Sequence, residues 1–556
     1  QKVSNPLKYV TSTPTGALKH ANLGVGVANA QYDETFNSGI NPTTLTTYYL
    51  VYEPVEGVAT RIYAPANSTE LIQLAQSKGS TETTEAGALT WLSDNGYYPA
   101  NKVLDNVVTD NLVLYFDASS ATSYPRSGTD WLDLGGGGGS NNDATLENGP
   151  TFNENGWIDL DGVDDQIELG NQQEELQLIQ GKSAISLCIL YKMDSLGSLK
   201  GLLGTSNYSC GKNLGLVASG TTLQFYNDTA ACNNAGINSA VETGRWMYAV
   251  GTYDGTNTRL YNLKGGVIAE ANNTTKSGNT NEFSSTFSIL GANRNDFFTE
   301  GSVARASVYQ KTLSMGEILQ NYYQGSITTT NLVGAFDPSN LVSYEPGTTT
   351  TFSLTGSVGA AGDGTLDNGV AYSNSGNGAW VFDGVDDQID FGNPSSLSNA
   401  QVTVTFWYNP TTLMNNTYGG IMNGRTPGGK FCLFWINGTT LSTQYKDDSG
   451  LSRANGGVWT RSQTATGAVS STNQWYFIQI TGNESTDEWR VGVDLNVSTT
   501  DFGSQYVDPD SNQWLLGRRS SAAYDHSKIA NLQIYDRILS QVEIEQNYNA
   551  NVKKFT

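Results

Sequence analysis

Three carboxylates crowd into five residues at two places in this chain: Asp161, Asp164 and Asp165 in one DGVDDQI segment, and Asp383, Asp386 and Asp387 in another. Hard oxygen ligands this close together would suit Ca²⁺. The glycine falls too early for an EF-hand loop. Asp-Gly also makes turns, with neighbouring carboxylates accepting backbone N–H groups. Calcium is one reading of these residues and turn chemistry the other; nothing else in the chain requires a cofactor.

The usual catalytic residue types are scarce. The chain has 2 histidines, His20 and His526, too few for a Ser–His–Asp or Cys–His machine or for His-rich zinc sites. His526 is expected on the surface, in a loop. Glu484, Asp487 and Glu488 supply acids but are expected in a solvated loop between strands. GGGGGS at 135–140 lacks the lysine and following helix of a phosphate cradle. The expectation is a protein that is not an enzyme.

Saccharide recognition needs an exposed aromatic beside polar groups. Two loops offer one: Phe297 and Phe298 with Asn293 and Arg294, and Tyr524 with Arg518, Arg519 and His526. Each set follows a Leu-Gly pair, and each could equally make an inter-subunit contact. Cys188 and Cys432 lie in apolar stretches and are expected in cores. Cys210 and Cys232 flank a strand-like run and could be bridged or free. The net charge of −23, from 30 basic and 53 acidic residues, argues against nucleic acid as a partner. No apolar run is long enough to span a bilayer, and no signal peptide is visible. The start at Gln1 leaves room for an upstream segment.

The elements that must position these residues come in duplicate. LVLYFD (112–117) recurs as LVGAFD (332–337), TLENG (145–149) as TLDNG (365–369), and DGVDDQIELGN (161–171) as DGVDDQIDFGN (383–393). Trp246-Met-Tyr aligns with Trp475-Tyr-Phe, Leu290-Gly with Leu516-Gly, and LSMGEILQNYY (313–323) with LSQVEIEQNYN (539–549). Blocks in one order, at offsets drifting by a few residues, mean a duplication with loop insertions. The pattern within each copy is β: Ile158 and Leu160, then Ile167 and Leu169, alternate with polar residues, as Trp380, Phe382, Ile389 and Phe391 do later. This predicts a hairpin across each DGVDD. Further strands are expected at 183–191, 246–253, 401–408 and 475–481. Ser314 with Glu317, and Ser540 with Glu543, form S-x-x-E capping boxes for one closing helix per copy.

An opening LV-x-x-x-D, then T-L-x-N-G, then D-G-V-D-D-Q-I, then a closing Tyr309…Leu313…Glu317…Asn321, repeated as Tyr535…Leu539…Glu543…Asn547, resembles the laminin-G/concanavalin-A-like lectin superfamily. The resemblance covers both copies. It implies two tandem antiparallel jelly-roll β-sandwiches in a mainly β chain, and a structural calcium in many members. It does not imply an activity. The E-x-D-x-x-E strand of the laminarinase-like branch is absent, which disfavours polysaccharide hydrolysis.

Residues 1–110 do not repeat. TTYYLVYE (46–53) and ATRIYAP (59–65) predict a hairpin. Asn67 and Glu70 predict a short helix carrying Leu71, Leu74 and Ala75 and ended by Gly79, and Ala88, Trp91 and Leu92 mark a second. The expected organisation is an extended arm (1–45), a small α+β anchoring module (46–108), sandwich one (109–327) and sandwich two (328–556). This order of modules resembles virion structural proteins of marine tailed phages. That resemblance implies a homo-oligomeric fibre, spike or capsid decoration at the virion surface. Its partners would be other virion proteins and host-surface glycans. A secreted glycan-binding adhesin is the alternative.

Overall fold

A computed structural model describes the chain except for 1–30, 34–50, 54–60, 64–67, 85–86, 89–90, 92–97, 100–106, 121–122, 136–141, 170–177, 198, 206–213, 228–233, 265–266, 275–276, 281–286, 290–297, 326, 356–362, 374–377, 393–400, 414–418, 426–430, 438–439, 446–460, 466–468, 484–487, 498–512, 521–522 and 556. It divides into two compact units, Gln1–Asp105 and Asn106–Thr556.

In the first unit, Val51–Glu53 pairs antiparallel with Arg61–Tyr63 and with Tyr98–Pro99. Gln31–Asp33, which the sequence reading places in the arm, adds a parallel strand beside Arg61–Tyr63. Helix α1, Ser68–Ser77, buries Leu71, Leu74 and Ala75. Their i, i+3, i+4 spacing puts them on one face.

The second unit holds two sandwiches, each built from two eight-stranded sheets. In sandwich one, Ile185–Met193 lies centrally between Trp246–Tyr253 and Glu300–Tyr309. Ile185, Leu187, Ile189, Tyr191 and Met193 face the apolar core. Cys188 and Leu190, on the opposite face, are buried as well. A strand covered on both sides reads as a continuous apolar run, which is why ISLCILY shows no alternation. Sandwich two repeats the arrangement with Gln401–Pro410 between Tyr476–Asn483 and His526–Tyr535.

The DGVDD segments are not hairpins. Trp157–Asp161 pairs with Glu300–Tyr309 in one sheet, whereas Gln166–Leu169 pairs with Ala144–Glu147 and Phe287–Ile289 in the other. Ala379–Asp383 and Gln388–Asp390 are divided between sheets in the same way. Each segment is therefore a corner carrying the chain across the sandwich. Alternation fixes which face of a strand turns inward, not which strand lies beside it. The two corners are equivalent: Ile158 faces Val303 as Trp380 faces Ile529.

The closing motif is a structural clasp. Helix α2, Met315–Tyr323, opens on a capping box made by Ser314 and Glu317. Asn321 Nδ2 donates to Tyr309 Oη (3.0 Å), and its Oδ1 accepts from the Val108 amide (2.7 Å). In helix α3, Gln541–Phe555, Asn547 donates to Tyr535 Oη (2.7 Å) and accepts from Thr328 N–H (2.8 Å). Ser540 and Glu543 form the matching cap. One asparagine thus ties the entering chain, the last long strand and the helix of each sandwich.

The sandwiches are joined by polar and aromatic contacts. Lys192 lies against Trp157 and Trp246, 5.5 Å from each ring centroid, and pairs with Glu345 of sandwich two at 2.7 Å. The Arg245 guanidinium stacks 4.1 Å over Phe352. Asn340 Nδ2 donates to the Tyr322 carbonyl at 2.7 Å.

Candidate functional site

Each acid corner is shaped by a glycine. Gly162 and Gly384 have φ of +72° and +80°, and a Cβ there would meet the Cβ of Glu300 or His526 at 2.6 and 2.9 Å. Only glycine fits. Asp161 Oδ1 accepts from the amides of Val163 (2.7 Å) and Asp164 (3.4 Å), and Asp165 Oδ2 accepts from the Asp161 amide (2.8 Å). Asp383 and Asp387 repeat these bonds at 2.7, 3.4 and 2.9 Å. The T-L-x-N-G turn packs alongside: Asn148 Nδ2 donates to the Asp164 carbonyl and Asn368 Nδ2 to that of Asp386, both at 2.9 Å. The two most alike motifs of the repeat are therefore one local structure, and turn chemistry engages one oxygen of Asp161 and one of Asp165, and likewise one each of Asp383 and Asp387.

The remaining oxygens leave room for a cation. One ligand oxygen from each of Asp161, Asp164 and Asp165, and from each of Asp383, Asp386 and Asp387, lies within 4.8 Å of the others. Burial pushes the Asp165 and Asp387 carboxyls up; the amide each accepts works against this, and repulsion from the neighbouring aspartates adds to it. This donor set fits a hard divalent ion as part of the roughly six to eight oxygens that Ca²⁺ takes.

In sandwich two the structure brings the acid corner and the aromatic loop together. Leu516 ends an inner strand, and Gly517 (φ +85°) turns the chain so tightly that a Cβ would lie 2.3 Å from the Phe382 ring. Beyond it, Arg518–Ser520 pairs with Ala523–Tyr524. Arg518 donates to Gln388 Oε1 (2.8 Å), beside Asp387, and its guanidinium lies 5.3 Å from the Tyr524 ring centroid. His526 is not in a loop as expected: it opens the strand His526–Tyr535 and faces Asp383 across the ladder. Asp383 and His526 are the last partners in the ladder between Ala379–Asp383 and His526–Tyr535. His526 Nδ1 lies 3.0 Å from Thr412 Oγ1. The Arg519 side chain is outside the described residues.

Sandwich one differs at the same end. Glu300 occupies the place of His526, facing Asp161, and Gln166 donates to Glu147 at 2.6 Å. Phe298, half-buried, accepts through its carbonyl from Lys200. Asn293, Arg294, Phe297, Cys210 and Cys232 lie outside the described residues. Cys188 is a free, buried thiol that burial pushes up to about 12, consistent with a core role. The side chain of Cys432 is not described.

Sequence reasoning missed one residue here. Asp525 is fully buried and accepts from Tyr408 Oη (3.0 Å) and from the Ser527 hydroxyl. Burial pushes its carboxyl up to about 7 against those two donors. Its one visible signal was a difference between the copies, since Thr299 stands in its place before Glu300.

A profile of the concanavalin A-like lectin/glucanases superfamily matches residues 161–319 and 383–545, more than half of the chain and once in each sandwich. The chain belongs to this superfamily. Both superfamily matches begin at the acid corner and end in the closing helix. No curated protein matches the chain. Among solved structures, the receptor-binding domain of botulinum neurotoxin type G is similar at 13% identity and a TM-score of 0.29, over 39% of this chain and 51% of that one. Domain 4 of AbnA, a GH43 extracellular arabinanase from Geobacillus stearothermophilus in complex with arabinotriose, is similar at 16% and 0.30, over 39% and 98%. Domains LG4-5 of the mouse laminin alpha1 chain are similar at 11% and 0.25, over 69% and 92%. The matches span about half the length of the botulinum domains, 51% and 50%. Scores this low carry no argument about ligand or activity.

Proposed function

We propose that this chain is a non-catalytic attachment protein that binds saccharide through the end of sandwich two. The observation that carries the reading is the Arg518–Tyr524 pair, raised on its own short hairpin and braced against the acid corner by Gln388. An aromatic ring beside a guanidinium offers the apolar face and the forked donors that a sugar ring and its hydroxyl or carboxylate groups require. The half-buried positions of Arg518 and Tyr524 let a ligand reach both. Asp161, Asp165, Asp383 and Asp387 are engaged in holding backbone amides, a poor setting for the paired carboxylates of a glycosidase.

Asp161, Asp164 and Asp165, and their counterparts Asp383, Asp386 and Asp387, would hold calcium. The ion would neutralise their mutual repulsion and stiffen the corner under the hairpin. Residues 1–108 would anchor the chain, as a homo-oligomer, at a virion surface, in keeping with the order of modules read from the sequence. A glycan array probed with the full chain, paired with a reducing-sugar release assay on algal and bacterial polysaccharides, tests this. Selective binding without product release is expected. Sustained release of reducing sugar would overturn the non-catalytic reading.

A further inference from the structure

We propose that Asp525 is a proton-operated latch at the root of the hairpin formed by Arg518–Ser520 and Ala523–Tyr524. As the neutral acid it holds the hairpin down on sandwich two; as the carboxylate it lets it go. The root is narrow. The Asp525 amide donates to the Gly517 carbonyl (2.9 Å), and the Gly517 amide donates to that of Ile421 (2.8 Å). Between these two residues the chain leaves the sandwich and returns. The Asp525 side chain points the other way, into the protein, with no exposed surface.

The groups around that carboxyl are two hydroxyls, the backbone amide of His526 and apolar surface. Tyr408, from the strand Gln401–Pro410, donates to one oxygen and Ser527, from the strand His526–Tyr535 that follows, to the other, and both are fully buried. His526, the neighbouring titratable group, directs Nδ1 to Thr412 and faces Asp383. Arg518 is engaged with Gln388 and Tyr524. Among the described residues no cationic side chain pairs with Asp525. A buried carboxylate without a cation is costly, so it either keeps a proton or breaks its burial. Burial pushing this carboxyl up to about 7 sets where that choice falls.

The sign follows directly. A carboxyl raised above its ordinary range contributes stability that is complete at acid pH and is lost as pH rises through the raised value. The latch is therefore whole below the ordinary carboxylate range, weakens as pH rises above it and has lost this contribution entirely above about 7. Sandwich one lacks the device: Thr299 stands in place of Asp525 and donates to the Gly201 carbonyl at 3.0 Å. The latch concerns the fold of the hairpin and stands whether or not that end binds saccharide.

Hydrogen exchange of the full chain, read by mass spectrometry over peptides covering 514–527, tests the proposal without a ligand. Wild type and Asp525→Asn are compared at the same pH, so that intrinsic exchange cancels. The two should exchange alike near pH 4, and wild type should exchange at least about tenfold faster than Asp525→Asn near pH 8, the difference growing from the ordinary carboxylate range up to about 7. Tyr408→Phe removes a donor to the carboxylate, so its opening should move to higher pH; this second variant keeps the test decisive if Asp525→Asn does not fold. Peptides covering 298–309 in sandwich one should show no such transition. Indistinguishable exchange of wild type and Asp525→Asn at both pH values, or an unmoved midpoint in Tyr408→Phe, would overturn the latch.

Discussion

Asp165 and Asp387 differ from the other corner aspartates in being buried, and each caps a backbone amide four residues earlier. Asparagine at either position keeps that acceptor and removes a charge that burial disfavours. Without metal, Asp165→Asn or Asp387→Asn should shift stability by less than about 1 kcal/mol. Because both carboxyls are raised, the wild-type contribution is lost as pH rises through their raised values, and each variant should flatten that dependence. With calcium the comparison inverts: an ion that binds only the folded state raises the melting temperature, and the variants should forfeit that rise. Calorimetry with calcium and with chelator separates the two effects. These aspartates were legible in the sequence because the motif occurs twice. Asp525 was not, because a singly occurring aspartate beside a histidine looks like any polar loop residue until its burial is known.

The elements show where a repeat informs and where it misleads. Tyr309–Asn321 and Tyr535–Asn547 were read as a family signature, and the structure gives that signature a mechanical reason: each asparagine satisfies a backbone amide of the entering chain and a buried tyrosine hydroxyl. Asn547→Ala should leave the Thr328 amide and Tyr535 hydroxyl without these partners. It should cost about 2–3 kcal/mol in denaturant unfolding, against a fraction of that for an exposed asparagine. The capping boxes were equally legible, since Ser-x-x-Glu is a local arrangement that needs no tertiary information. The corner at DGVDD was misread as a hairpin because alternating strands on either side of a tight turn satisfy both geometries. Only the partner strands decide between them, and those come from more than a hundred residues downstream, at Phe287–Ile289 and Glu300–Tyr309.

At the scale of the molecule, the duplication produced two sandwiches with one plan and different ends. The fold class and the two copies could be read from ordered blocks of sequence. Their joining could not, because Lys192, Arg245, Glu345 and Phe352 belong to none of those blocks. Among the described residues, Glu300 stands at the end of sandwich one where His526 stands in sandwich two, and there the pair Arg518 and Tyr524 lies beside it. This end of sandwich two is the proposed saccharide site. The most direct test is calorimetric titration of the strongest array saccharide into the full chain and into its Tyr524→Ala variant. Loss of the ring should remove roughly 1–2 kcal/mol of binding, weakening affinity about five- to thirtyfold with the melting temperature unchanged. Equal affinity of wild type and variant for that saccharide would contradict the assignment.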